Sequence, residues 1–148
     1  MTLWRISNHA DLSGKGGKRK GGRWHSRGRP VTYLTSSPAA ALLEMLVHHV
    51  RRGNLPADYQ WLEITAPSDF NVQRCGELPP NWRTDYGATR ALGDAWLKQH
   101  TTPLLEVPSV IVPKTSNYLL NPRHADASTL RISSVIRYPL ERRLTVQG

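Results

Sequence analysis

Two parts of this chain carry side chains whose types and spacing could do chemistry. One is Glu44, which lies among Leu43, Leu46 and Val47. A carboxylate in apolar company must be paired, hydrogen-bonded or set at the rim of a cleft. The plain alternative is a solvated glutamate on a helix flank, and spacing alone leaves both open. The other is the run Gly14-Lys-Gly-Gly-Lys-Arg-Lys-Gly-Gly-Arg23. Glycines let backbone N–H groups approach an anion, and the interleaved cations add charge. The standard phosphate patterns are absent, however. Gly17 and Gly22 have the spacing of a Walker A loop, but Arg23 and Trp24 follow where Lys and Ser/Thr are required. A dinucleotide fingerprint starting at Gly14 would need glycine where Arg19 stands. The loop is therefore either a solvated basic segment or a contact for nucleotide phosphates or RNA. Trp24 lies beside the loop and is either a core residue or a ring on which a base, an adenine or a nicotinamide stacks, and Tyr33, in a strand, is as ambiguous as Glu44.

Metal chemistry has little support. No two of the six histidines are spaced i, i+4 on a helix, and Cys75 is the one cysteine, so no metal site is expected.

The elements that must position these residues follow from pattern. Leu3–Ser7, Val31–Thr35 and Gln60–Thr65 read as strands, and residues 13–30 as a loop. Ser37 and Pro38 open a helix that Gly53 should stop, with Leu42, Leu43, Leu46, Val47 and Val50 as its apolar face. A second helix spans about residues 88–100, with Ala88, Ala91, Leu92, Ala95 and Trp96 inward. Gly93 weakens that helix by about 1 kcal/mol against alanine, so a close backbone contact is expected there. Leu104–Val107, Ser109–Val112, Leu130–Tyr138 and Arg143–Val146 are the remaining strand candidates. Trp4, Trp61, Trp82 and Trp96 are expected in the core. The mixture predicts an α+β fold, in one domain over residues 1–148.

Net charge is +9, of which residues 1–30 hold +7. A basic patch this local implies a polyanionic partner: nucleic acid, nucleotide phosphates or an acidic protein. A nucleic-acid-binding module built on loop 13–30 is thus one reading of the chain. The lone cysteine excludes an intrachain disulfide, Met1–Ile6 lacks a signal-peptide run, and no stretch approaches the roughly 20 apolar residues of a membrane helix. The cytoplasm is the expected location, with no membrane contact.

A set of ordered blocks says more. Trp4-Arg5-Ile6, Asp11-Leu-Ser-Gly14, Gly21-Gly-Arg-Trp24, Val31-Thr-Tyr33, Leu43-Glu44 with His48, Gly93-Asp-Ala-Trp96, Val107-Pro-Ser109, Asn117-Tyr-Leu-Leu-Asn-Pro122 with His124, and Arg143-Leu144 succeed one another along residues 4–144. In that order they closely resemble the RES domain, a bacterial family named for Arg, Glu and Ser. Arg142-Arg143 after Glu141 departs from the family's aspartate-containing approach to the final Arg-Leu. The resemblance implies a split, strand-rich core with flanking helices, like that of ADP-ribosyltransferases, gripping NAD⁺ in a cleft. It also implies a toxin that consumes NAD⁺, by hydrolysis or phosphorolysis, or transfers ADP-ribose to a protein. Such toxins are silenced by an antitoxin with an Xre-like helix-turn-helix domain, through which nucleic acid would be met only indirectly; a homo-oligomer within that complex is left open. By the same resemblance, Glu44, Arg5, Tyr33 and Ser109 are the catalytic set. NAD⁺ would be bound by Arg5 and Arg23 on its phosphates or ribose, Tyr33 on the nicotinamide ring, Ser109 on substrate or the glutamate, and Asn121 from behind.

Overall fold

The computed structural model describes residues 1–50 and 59–144. Seven strands, β1 (Thr2–Ser7), β2 (Thr32–Thr35), β3 (Gln60–Thr65), β4 (Val72–Arg74), β5 (Leu104–Pro108), β6 (Ser116–Leu120) and β7 (Arg131–Ile136), form one sheet in the order β4-β5-β6-β2-β1-β3-β7. Every pairing is antiparallel except β4 with β5. Three helices accompany it: α1 (Lys15–Arg19), α2 (Pro38–Val50) and α3 (Tyr86–Gln99). The fold is α+β, as expected.

The sheet is split in its middle. β1 pairs with β3 along its whole length, from Thr2↔Thr65 to Ser7↔Gln60, and β2 pairs with β6 at all four residues. β1 and β2 meet at a single pair, Trp4↔Thr35. The Thr35 hydroxyl reinforces that join, lying 3.3 Å from the Trp4 carbonyl and 2.9 Å from that of Ser37. Alternation about the join sets the faces, because strand side chains point up and down in turn. Trp4, Tyr33, Thr35 and Asn117 share one face; Leu3, Arg5 and Leu34 share the other.

Both faces are covered. Leu3, Leu34, Leu62, Ile64, Leu104 and Leu120 pack together on one. Trp24, Val31, Trp96, Leu97, Leu105, Val107 and Leu119 pack on the other, where α3 lies. The doublets Leu104-Leu105 and Leu119-Leu120 send one leucine to each side, the mark of strands buried on both faces.

Several expectations are corrected. Loop 13–30 contains α1, entered through Gly14 at φ +72° and packed so tightly at Gly17 that a Cβ there would lie 2.5 Å from the Val31 carbonyl oxygen. β4 and β6 were not expected: β4 is three residues at the sheet edge, and β6 opens on Ser116-Asn117, which breaks the apolar pattern. Ser109–Val112 is a turn, not a strand, because the Ser109 hydroxyl accepts the Ile111 and Val112 N–H groups at 3.1 Å each. Residues 142–144 form a 3-10 turn instead of opening a strand. The stop at Gly53 and the rest of the expected last strand lie outside the described residues.

Both long helices are rotated from their expected faces. Ser37 caps α2, its hydroxyl accepting the Ala40 N–H at 3.1 Å. The helix then buries Ala40, Ala41 and Met45 and leaves Leu43 and Val47 40% and 48% exposed. Helix α3 buries Thr89, Gly93, Trp96 and Leu97, with Ala91 and Ala95 exposed. Its orientation is set by Gly93, where a Cβ would lie 1.6 Å from the Trp24 carbonyl oxygen. The expected close contact is thus found, against the backbone of the Gly-Arg-Trp segment. Trp24 and Trp96 are buried in the core, while Trp4, Trp61 and Trp82 are half-buried.

Gly93→Ala should lower stability by more than about 3 kcal/mol, beyond ordinary overpacking, because a backbone carbonyl cannot yield as a side chain can. Gly16→Ala, which meets nothing within 4 Å, should be neutral or slightly stabilising. Chemical denaturation of the two variants measures both; equal midpoints would refute the contact.

Candidate functional site

Glu44 follows the buried Ala40 and Ala41 by one helical turn, so its side chain lies toward the sheet, not on a solvated flank. Its Oε1 accepts two hydrogen bonds, one from Asn117 Nδ2 at 2.8 Å and one from the Ser109 hydroxyl at 3.3 Å. Oε2 accepts none. Asn117 sits on β6 opposite Thr35 on one side and Val107 on the other. Ser109 follows β5 directly, and its oxygen is occupied by the Ile111 and Val112 N–H groups. Its one proton is thereby aimed at the carboxylate. Asn117 Oδ1 is buried with no partner. An orphaned acceptor costs about 1–3 kcal/mol. The amide cannot simply turn over to relieve it, since that would set oxygen against the carboxylate. The result is a half-buried carboxylate with one oxygen clamped and the other open.

Arg5 is the first β1 residue beyond the Trp4↔Thr35 join, where the strand edge toward β2 has no further pair. It is half-buried, and its guanidinium makes no hydrogen bond or ion pair among the described residues. Burial pushes its pKa down from the ordinary arginine value, and Asp11 acts in the opposite sense through its charge. Asp11 itself is held by the backbone N–H and hydroxyl of Ser13, at 3.0 and 2.7 Å.

Tyr33 points its hydroxyl into the Gly-Arg-Trp segment. Its oxygen accepts the Trp24 N–H at 3.2 Å and lies 2.7 Å from His25 Nδ1. Burial raises the phenol's pKa well above its usual value, so it stays neutral and offers a ring, not a base. Arg23 is tied to the start of α3. It donates to the Arg83 carbonyl at 2.9 Å and to the Tyr86 hydroxyl at 3.1 Å, and its guanidinium stacks 4.4 Å from the Tyr86 ring centre. Arg90, Thr89 and Asp94 pin the same segment through the Gly22 carbonyl, the Arg23 carbonyl and the Ser26 N–H, at 2.7, 2.6 and 2.8 Å.

The structure therefore joins Glu44 and Ser109 directly, and adds Asn117, which pattern reading did not single out. Asn117 stood in the block 117–122, but the strand that presents it was not expected. Tyr33 shares the face of Asn117, while Arg5 lies on the opposite face at the split. Asn121 is fully buried, with its Nδ2 3.3 Å from His100 Nδ1 and its Oδ1 accepting the Arg123 N–H at 3.1 Å. None of its hydrogen bonds reaches the Glu44 group. Among the described residues no three His, Cys, Asp or Glu side chains cluster as a metal site, and no helix is long and apolar enough to cross a membrane.

Comparison with known proteins adds a family. Residues 2–141 match the RES domain. The chain is 45% identical to Toxin Res of Pseudomonas putida over 133 residues, covering 89% of this chain and 92% of that protein. It is 36% identical to the Prs ADP-ribosylating toxin of a Sphingobium species over 155 residues, covering 97% and 96%. Among solved structures, a chain of the Mycobacterium tuberculosis MbcT–MbcA toxin–antitoxin complex superposes with a TM-score of 0.74 at 20% identity, covering 93% of this chain and 83% of that one. At that identity the likeness is one of fold.

Ser109→Ala should cost about 1–2 kcal/mol of stability, because it orphans two backbone N–H groups as well as releasing Glu44. Ser109→Thr should retain most of it. Urea midpoints of the two variants measure this; an alanine variant as stable as the parent would show that the hydroxyl does not hold the turn.

Proposed function

The chain belongs to the RES-domain family, and from that premise we propose that residues 1–148 act as the toxin of a toxin–antitoxin pair that consumes NAD⁺ in the cytoplasm. The reaction breaks the bond between the nicotinamide nitrogen and the ribose carbon. The bonding electrons leave with nicotinamide, and water, phosphate or a protein nucleophile forms the new bond to that carbon. The names of the relatives support the toxin reading, and one of them is called ADP-ribosylating.

The observation that carries the chemistry is the clamped carboxylate. Departure of nicotinamide builds positive charge on the ribose, as in glycoside cleavage. A fixed anion beside that ribose stabilises the charge without reorganising as it appears. Ser109 and Asn117 hold Glu44 Oε1, so Oε2 is presented in one orientation to the sugar. Arg5 is the better candidate for the NAD⁺ phosphates, because its guanidinium is half-buried and has no hydrogen-bond or ion-pair partner among the described residues. Its planar fork suits phosphate oxygens. Arg23 has two of its N–H groups committed to Arg83 and Tyr86, so its first role is to order the segment that faces Tyr33. Tyr33 offers its ring to nicotinamide, and Asn121 supports the β6 end from within. Lys15, Lys18, Arg19 and Lys20 draw the anionic dinucleotide toward the cleft. No metal takes part in this reading. The partner is an antitoxin with a helix-turn-helix domain that covers the cleft, inserting a carboxylate or a polar chain end near Arg5 or Arg23.

Purified chain without antitoxin should release nicotinamide from NAD⁺, and comparison with and without phosphate separates hydrolysis from phosphorolysis. Intact NAD⁺ in both, with no labelled protein in a lysate, would sink the proposal. Glu44→Gln should lower kcat by about 10²–10³ with little change in KM, since it keeps volume and removes charge. Arg5→Ala should raise KM and lower kcat together, because it removes binding common to ground and transition states. A glutamine variant as active as the parent, at equal thermal stability, would remove Glu44 from the chemistry.

A further inference from the structure

His25 is 1% exposed, and both its ring nitrogens are engaged. Nε2 lies 2.8 Å from the Gly17 carbonyl oxygen and 3.1 Å from that of Lys20. Carbonyls only accept, so Nε2 carries the ring proton. In the neutral ring Nδ1 is then a bare lone pair, 2.7 Å from the Tyr33 oxygen. The Tyr33 oxygen already accepts the Trp24 N–H, so its own proton goes to His25. The assembly is tightly closed. A Cβ on Gly22 would lie 2.6 Å from the Tyr33 oxygen and 3.1 Å from His25 Cε1. One imidazole thus ties Tyr33 on β2 to the Gly17 carbonyl inside the short helix α1 and to the Lys20 carbonyl at its C-terminal end.

We propose that His25 is a positioning residue that couples the basic helix α1 to the Tyr33 ring, setting the place of both relative to bound dinucleotide. This rests on the reading of Tyr33 and the basic loop as NAD⁺ contacts. The coupling has a direction fixed by the hydrogen bonds: Tyr33 O–H donates to Nδ1, and Nε2–H donates to Gly17 and Lys20. Two isosteric substitutions divide it. His25→Asn places an acceptor where Nδ1 stands and loses the bonds to α1. His25→Gln places a donor where Nε2 stands and loses the bond to Tyr33. The halves of the coupling therefore predict different kinetic faults. Loosening α1 weakens capture of the anionic substrate; releasing Tyr33 misplaces the ring against nicotinamide.

The test begins with the intact chain, labelled with ¹⁵N-histidine and produced without cells. NMR should show His25 as the neutral tautomer protonated at Nε2; protonation at Nδ1, or a doubly protonated ring, at neutral pH overturns the assignment without any variant. Nicotinamide release is then followed for both variants at matched folded fraction. His25→Asn should raise KM about tenfold with kcat within about twofold. His25→Gln should lower kcat about tenfold, the value of one hydrogen bond, with KM little changed. In a Tyr33→Phe background, His25→Gln should cause no further loss of kcat. Equal faults in the two variants, or additive losses in the Tyr33→Phe background, would mean that His25 only fills space. If the parent chain neither releases nicotinamide nor labels a protein in a lysate, the NAD⁺ reading fails, and the proposed coupling falls with it even if the tautomer is as expected.

Discussion

A β-sheet is held by pairing its backbone N–H and C=O groups, and between β1 and β2 this sheet does so only at Trp4 opposite Thr35. The ladders on either side of that join are continuous, six pairs between β1 and β3 and four between β2 and β6. The backbones of the two halves are therefore joined at one pair, and the halves are held together chiefly by a shared apolar layer, in which Leu3, Leu62 and Ile64 pack with Leu34, Leu104 and Leu120. The single pair also places the first β1 residue past the join, Arg5, at an edge whose backbone has no strand partner. Unpaired edge groups attract whatever can hydrogen-bond to them.

The site is made of groups whose charges and hydrogen bonds are left incomplete by the fold. Among the described residues, Arg5 is half-buried without a counter-ion bond, Glu44 Oε2 accepts no hydrogen bond, and Asn117 Oδ1 is buried without a donor. Each costs stability, because desolvated polar groups lose water without replacement. The cost is borne by a well-filled core: among the described residues nine leucine and isoleucine side chains, including Leu34, Leu62 and Leu104, are essentially inaccessible. A group already held in one orientation need not reorganise when charge develops next to it, which is where such incompleteness becomes useful.

The Gly-Arg-Trp segment shows how the basic loop acquires a place. It is clasped to α3 by Arg23, Arg90, Thr89 and Asp94, and to β2 by Tyr33 and His25. Gly93 is what lets α3 come close enough for these bonds to form. A stretch that composition describes as flexible and solvated is in fact bounded on two sides by the core, with its lysines at the outer end.

Much was legible in the sequence. Strands β1, β2, β3, β5 and β7 and the two long helices followed from β-branched content, alternation and capping residues, because those signals are local. Gly93 announced a close contact, since a glycine inside a helix needs a reason. The order of blocks along the chain pointed to the family before any geometry. What local pattern could not supply was partnership. Leu43 and Val47 of α2 look inward by periodicity, yet the helix turns its alanines to the sheet, because small side chains let the backbones approach while Leu43 and Val47 stay exposed. That rotation is what carries Glu44 off the flank and over the sheet. Asn117 was unreadable for the same reason: its strand is defined by ladders to β2 and β5, distant in sequence, and not by its own composition. The sequence determined which elements form and where charge and glycine concentrate, because these depend on neighbours along the chain. The tertiary structure alone decided which face each helix presents and which distant side chains share an oxygen, because those depend on hydrogen-bond partners that only folding brings within 3 Å or so of one another.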